Sequence, residues 1–152
     1  MISEKLDKIQ RTIINVHREL FDESPSPMKL QKLCYYAQGY ALAEGKLLFS
    51  EDFEAWQHGP VVYDLYDKYR GYKWHQISEE VGESDTSVLE FITDIVSAYG
   101  RYDGAALSTM CHRESPWLEA RGNLDELQGS TATISKESMG NFFAAKLRAT
   151  NG

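Results

Sequence analysis

The sequence predicts a mainly α-helical fold, with six or seven helices around one compact core and a small β-hairpin near residues 47–56. Three observations predict it. Apolar residues recur every three or four positions over 2–20. A Ser-Pro pair at 26–27 opens a second segment of the same period, and a third such segment over 139–147 follows Ser135. That period places side chains on one helical face.

In the first helix Ile2, Leu6, Ile9, Ile13, Val16 and Leu20 form the stripe, and Asp7, Lys8, Arg11 and Glu19 fall outside it. Ser26 caps the second helix and Pro27 suits its first turn. It runs to about Glu44, with Leu30, Leu33, Cys34, Ala37 and Ala41 as the apolar face and Lys29, Lys32 and Tyr36 away from it. Gly39 costs up to about 1 kcal/mol against Ala inside a helix, which close approach of another backbone or a mild kink would explain. Gly45-Lys46 ends the helix.

Leu47-Leu48-Phe49 and Phe53-Glu54-Ala55-Trp56, separated by Ser50-Glu51-Asp52, read as the arms of the hairpin. Gly59-Pro60 turns the chain into a third helix at Val61, carrying Tyr63, Tyr66 and Tyr69, with Tyr72 just beyond. A spacing of three drifts about 60° per step, so the rings form a partly buried edge. Asp64 and Asp67 between them would repel phosphate, which argues against a base-stacking platform.

From Trp74 to Gly100 there are six carboxylates and no Lys or Arg. Residues 76–86 read as an exposed acidic loop, either plainly solvated or a lure for a basic partner. Ser87-Val88-Leu89-Glu90 matches a capping box, followed by a core face of Val88, Phe91, Ile92, Ile95 and Tyr99. Asp103 caps a short helix and Ser115-Pro116 starts another. The polar stretch 122–133 is expected to be mobile. Ser135 caps the last helix, with Ile134 and Met139 as a hydrophobic staple and Met139, Phe142, Phe143 and Leu147 facing inward.

The whole chain, 1–152, is expected to form a single domain. A chain of this length buries about 70% of its unfolded surface without needing disulfides or metals. The net charge of −7 weighs against direct nucleic-acid binding and anionic membranes, and favours basic partners. Two cysteines, the absence of a signal-like start and no apolar run near about 18 residues point to the cytoplasm.

No phosphate loop, G-x-S-x-G elbow, H-E-x-x-H pair or G-x-G-x-x-G fingerprint occurs. Cys34, His58, Cys111 and His112 lack metal-site spacing, so neither metal nor cofactor is expected. Neighbouring Cys111 and His112 point about 100° apart on a helix, and Cys34 suits a buried, inert thiol. His58 and His112 are read as ties between ring nitrogens and backbone groups. Arg113 can reach a carbonyl or carboxylate while Trp117 packs. An enzyme using both histidines and a carboxylate would need them to converge in one pocket.

Three ordered blocks carry a resemblance: Lys29-Leu30-Gln31-Lys32-Leu33-Cys34-Tyr35-Tyr36-Ala37-Gln38-Gly39, Phe53-Glu54-Ala55-Trp56-Gln57-His58-Gly59-Pro60-Val61-Val62-Tyr63, and Leu107 to Trp117, which fits the pattern L-S-x-x-x-H-x-E-x-P-W. Together they resemble the Panacea domain family, the antitoxin SocA-like or phage-associated GepA-like proteins. The resemblance implies a non-enzymatic antitoxin that binds and neutralises a cognate toxin protein. Alternatives within it are an adaptor that delivers the toxin to a cytosolic ATP-dependent protease, and a prophage-associated protein without a toxin. No contact residue carries over from the family motif. Lys29, Lys32, Gln57, His58, Arg113 and Trp117 are the candidate partner contacts, as exposed polar or aromatic groups near the blocks.

Overall fold

Two serines fix the start of the first two helices. In the computed structural model, which describes residues 1–151, Ser3 accepts from the Leu6 N–H at 3.1 Å and Ser26 from the Lys29 N–H at 3.3 Å. Gly152, the last position of the expected domain, lies outside the described residues. Helix α1 spans Glu4–Phe21 and buries Leu6, Ile9, Ile13 and Val16, while Ile2 and Leu20 stay at the margin.

Helix α2, Pro27–Ala43, is not amphipathic: every residue from Lys29 to Gly39 is buried. It is the central post of the fold, with α1, α4, α5, α7 and the hairpin packed around it. The expected single apolar stripe is therefore only part of its buried surface. A Cβ at Gly39 would fall 2.2 Å from Phe143 Cε2, so a ring of the last helix makes the close approach, rather than a backbone.

The hairpin exists but lies further along the chain than expected. Strands β1 (Glu54–Trp56) and β2 (Gly59–Val61) pair antiparallel around a turn at Gln57 and His58. Residues 47–49 form no strand. The Gln38 side chain instead accepts from the Leu48 N–H at 3.0 Å and donates to the Phe49 carbonyl at 2.7 Å. A third segment leans on β1 from the other side: the Ala55 N–H donates to the Ala132 carbonyl at 2.8 Å and the Ile134 N–H to the Phe53 carbonyl at 2.7 Å. Ala55 and Pro60 form a non-hydrogen-bonded pair, so the backbone groups of Ala55 face away from β2 and a proline fits opposite it. The Ala55 carbonyl accepts from Arg121 Nη1 at 3.0 Å.

Helix α3 begins at Tyr63, not Val61, because β2 occupies residues 59–61 and both backbone groups of Val62 are taken by Gln31. It spans Tyr63–Tyr69 and tightens into a 3-10 turn over Arg70–Tyr72. The acidic segment 76–86 is irregular as expected, yet strapped to α1. Ile77 is fully buried, Arg18 donates to its carbonyl at 3.1 Å, Asn15 donates to the Gly82 carbonyl at 2.8 Å, and the Asp85 N–H donates to Thr12 Oγ1 at 2.9 Å.

Helix α4, Leu89–Tyr99, forms without the expected capping box, since its N-cap is Val88 and Ser87 donates to Asp85 Oδ1 instead. Helix α5, Gly104–Cys111, is capped by Asp103, and α6 spans Ser115–Arg121. The loop that follows is tied by Arg121, which donates to the Asp125 carbonyl at 2.9 Å and to that of Gln128. Helix α7, Lys136–Asn151, starts at Ser135, which accepts from the Ser138 N–H at 3.1 Å. Ile134 and Met139 are both buried there, as a staple requires. Among the described residues there are seven α-helices, one 3-10 turn and one hairpin.

Candidate functional site

The buried polar side chains of α2 grip the hairpin by its backbone. Gln31 donates to the Val62 carbonyl at 3.0 Å and accepts from the Val62 N–H at 2.9 Å. Lys32 Nζ donates to the Pro60 carbonyl at 3.2 Å. From the other side, Ser108 donates to the His58 carbonyl and Trp117 Nε1 to the Trp56 carbonyl at 2.8 Å. A short hairpin alone is marginal in water, and these buried bonds hold this one in place.

A cluster of buried polar side chains sits within the core. Tyr36 stacks on Tyr99, ring centroids 4.0 Å apart, and its hydroxyl donates to Glu114 Oε2 at 3.0 Å. Burial raises the Glu114 carboxyl above its usual range, with the Tyr36 bond opposing. Cys111 Sγ is 3.6 Å from the same hydroxyl. Burial pushes the Cys111 thiol up to about 12 and the Cys34 thiol higher still. Both are free and buried, so neither presents a thiolate nucleophile near neutral pH.

Three of the six candidate contact residues are not on the surface. Lys29 donates to the Gly100 carbonyl at 2.5 Å, Lys32 is 1% exposed, and Trp117 is buried under Arg121, whose guanidinium carbon is 4.6 Å from the ring centroid. Lys29 and Lys32 lie on α2, which has no outward face over residues 29–39, and Trp117 packs inward from α6. Gln57 is half-buried and His58 exposed, side by side at the hairpin turn. Arg113 is exposed but borders a different depression, with Phe142 and Lys146.

The His58 tie differs from expectation, whereas His112 has a backbone partner in Gln57. His58 is held through its carbonyl, not its ring. The His112 ring stacks on Trp117 at 4.3 Å, with Nδ1 3.7 Å from Glu126 Oε1, and burial lowers its pKa. His17, which sequence reading passed over, is buried and pairs Nδ1 with the Glu23 carbonyl at 2.5 Å. Among the described residues, no three His, Cys, Asp or Glu side chains gather as a metal site.

Beside the hairpin turn, Trp56 meets Tyr66 edge-on at 5.0 Å, and Tyr63 lies 6.2 Å from Tyr66. Tyr63 is 48% and Tyr66 38% exposed, whereas Tyr69 is buried and donates to Gln10 Oε1 at 2.8 Å. The tyrosine ladder thus splits into an outer and an inner half. Trp56 and His58 stand as a ridge between two depressions. One, of about 280 Å³, is lined by Lys32, Val61, Tyr66, Arg70 and Lys73 among others; the second runs to residues 129–131. Sequence reading missed this aromatic and cationic grouping, because Trp56 and Arg70 meet only through the hairpin.

A ridge of aromatic and polar groups is thus backed by a helix that is buried from Lys29 to Gly39, in a mainly helical scaffold. The chain belongs to the family described as antitoxin SocA-like, Panacea domain, whose model matches residues 30–118. That span takes in nearly all of the three sequence blocks, and the structure interlocks them: α2 with the hairpin through Gln31 and Lys32, α5 and α6 with the hairpin through Ser108 and Trp117, and α2 with Glu114 through Tyr36. No curated protein and no solved structure matches the chain.

Proposed function

We propose that residues 1–152 work as one unit, a non-enzymatic antitoxin that neutralises a cognate toxin protein in the cytoplasm by direct binding. The observation that carries this reading is the hairpin ridge. Five separate side chains, Gln31, Lys32, Ser108, Trp117 and Arg121, hydrogen-bond the backbone of the hairpin and of Val62 just beyond it. Rigid presentation lowers the ordering cost of association, and exposed aromatics supply contact area. Family membership supports a toxin as the partner.

In this reading Gln57 and His58 touch the toxin and Arg113 extends the contact past α5. Lys29, Lys32 and Trp117 contribute by fixing the face. Co-expression with the product of the neighbouring open reading frame tests it. That product is expected to arrest growth alone, and to be bound and silenced beside this chain, with its half-life unchanged. A harmless product, or one that stays toxic and unbound, would contradict the reading.

A further inference from the structure

Lys32 is a buried cation without a counter-ion. Its ammonium makes one hydrogen bond, to the Pro60 carbonyl, and forms no salt bridge among the described residues. An ammonium has three donors, and leaving a charge buried with one neutral acceptor is costly. Burial pushes its pKa down to about 8.

The lysine also contributes to the wall of the 280 Å³ depression beside the ridge. Arg70 and Lys73 stand there too, both exposed, with Trp56 and Tyr66 as aromatic walls and Val61 as an apolar one. No carboxylate lines it among the described residues, although the chain carries 23 Asp and Glu against 16 Lys and Arg. Asp67 reaches Arg70 at 3.6 Å from the adjacent turn, where both side chains are more than half exposed, so that pair is weak. A chain that is acidic overall therefore concentrates three cations around one apolar hollow.

We infer that this depression receives an acidic side chain, Asp or Glu flanked by apolar residues, from a segment of the bound protein partner, with its carboxylate drawn to Lys32, Arg70 and Lys73. The inference rests on the protein-binding reading above and names the chemistry of the docked segment. Charge complementarity selects the occupant: a basic or neutral segment would leave Lys32 unmatched, whereas a carboxylate supplies acceptors in a half-enclosed site where charged hydrogen bonds are strong.

The test uses the full chain and two acetylated, amidated peptides, Ala-Leu-Glu-Leu-Ala and Ala-Leu-Gln-Leu-Ala, titrated while amide and indole resonances are followed by NMR. The Glu peptide is expected to shift the Trp56 indole and the Gly59 and Arg70 amides, leaving the exposed Trp74 indole still. The Gln peptide is expected to bind about tenfold more weakly, the loss of one charged hydrogen bond. The Arg70→Glu/Lys73→Glu variant, altered only at exposed positions, is expected to lose the peptide and keep its fold, and Lys32→Met to weaken it similarly. Equal binding of both peptides, or binding unchanged by the charge reversal, overturns the inference. So does inorganic phosphate giving the same shifts at lower concentration than the peptide, since the hollow would then be a small-anion site. Toxin neutralisation by the charge-reversed variant at wild-type strength would overturn the docking claim alone and leave the antitoxin reading standing. Failure of wild-type chain to bind the neighbouring product would remove that reading, whatever the peptides do.

Discussion

Lys32 and Gly59 share one space: the lysine Cε lies 2.8 Å from the point that a Cβ on residue 59 would occupy, and Gly59 itself sits at φ +116°. The turn needs glycine twice over, for its backbone angle and for the lysine laid across it. Replacing Gly59 by Ala should destabilise the protein by about 2–3 kcal/mol, from strain in that region and from the collision. In a urea-denaturation cycle with Lys32→Ala, the collision should vanish and the strain remain. A Gly59→Ala variant as stable as wild type would contradict this geometry.

Lys32 should also leave a mark on the pH dependence of stability. Its folded pKa is lowered from 10.5 to about 8, so between those values the unfolded chain binds more protons than the folded one. Stability then rises with pH across that window. The gain should be about 1.5 kcal/mol from pH 8 to 9.5, and Lys32→Met should lack it. The difference between the two chains isolates the lysine from the buried tyrosines, whose raised pKa values act in the opposite sense above about pH 10.

Gly39 and Phe143 join the central helix to the last one. A Cβ at 2.2 Å from the ring has nowhere to go, because Phe143 is fully buried. Gly39→Ala should cost about 1–3 kcal/mol by overpacking, despite the better helix propensity of Ala. Gly129→Ala, with nothing within 4 Å of the new methyl, should be near neutral. Thermal unfolding of the two variants decides it.

Glu114 should tolerate loss of charge better than loss of its oxygen. Its carboxyl is buried with a raised pKa, its Oε2 accepts from Tyr36, and its Oε1 has no partner. Glu114→Gln should be neutral or stabilising at pH 7, whereas Glu114→Ala should cost about 1–3 kcal/mol by orphaning the Tyr36 hydroxyl. Because the folded carboxyl holds its proton to higher pH than the unfolded one, wild-type stability should fall as pH rises from about 4.5, a slope that the Gln variant should lose.

Helices were legible in the sequence where local chemistry fixes them. Ser26, Asp103 and Ser135 all cap as expected, because capping depends on neighbours a few residues away. The register of the hairpin was not, since it is set by Gln31, Gln38 and Arg121 from distant segments. The same cause hid half the site. Periodicity gave α2 an outward face for Lys29 and Lys32, but a helix surrounded on every side has none, and its polar residues are spent on backbone partners. Gln57 and His58 do lie at a turn, but it precedes the Gly59-Pro60 step, which opens β2. The grouping of Trp56 and Tyr66 with Arg70 and Lys73 crosses from strand to helix, so no spacing in the chain announces it.

Calorimetric binding of the purified neighbouring-gene product to wild-type chain and to a Gln57→Ala/His58→Ala variant tests the central claim most directly, with Asp94→Ala on the exposed side of α4 as control. The hairpin ridge predicts tight binding by wild type and by the control, and at least tenfold weaker binding by the double variant. Equal affinity of all three chains would place the contact elsewhere and contradict the account.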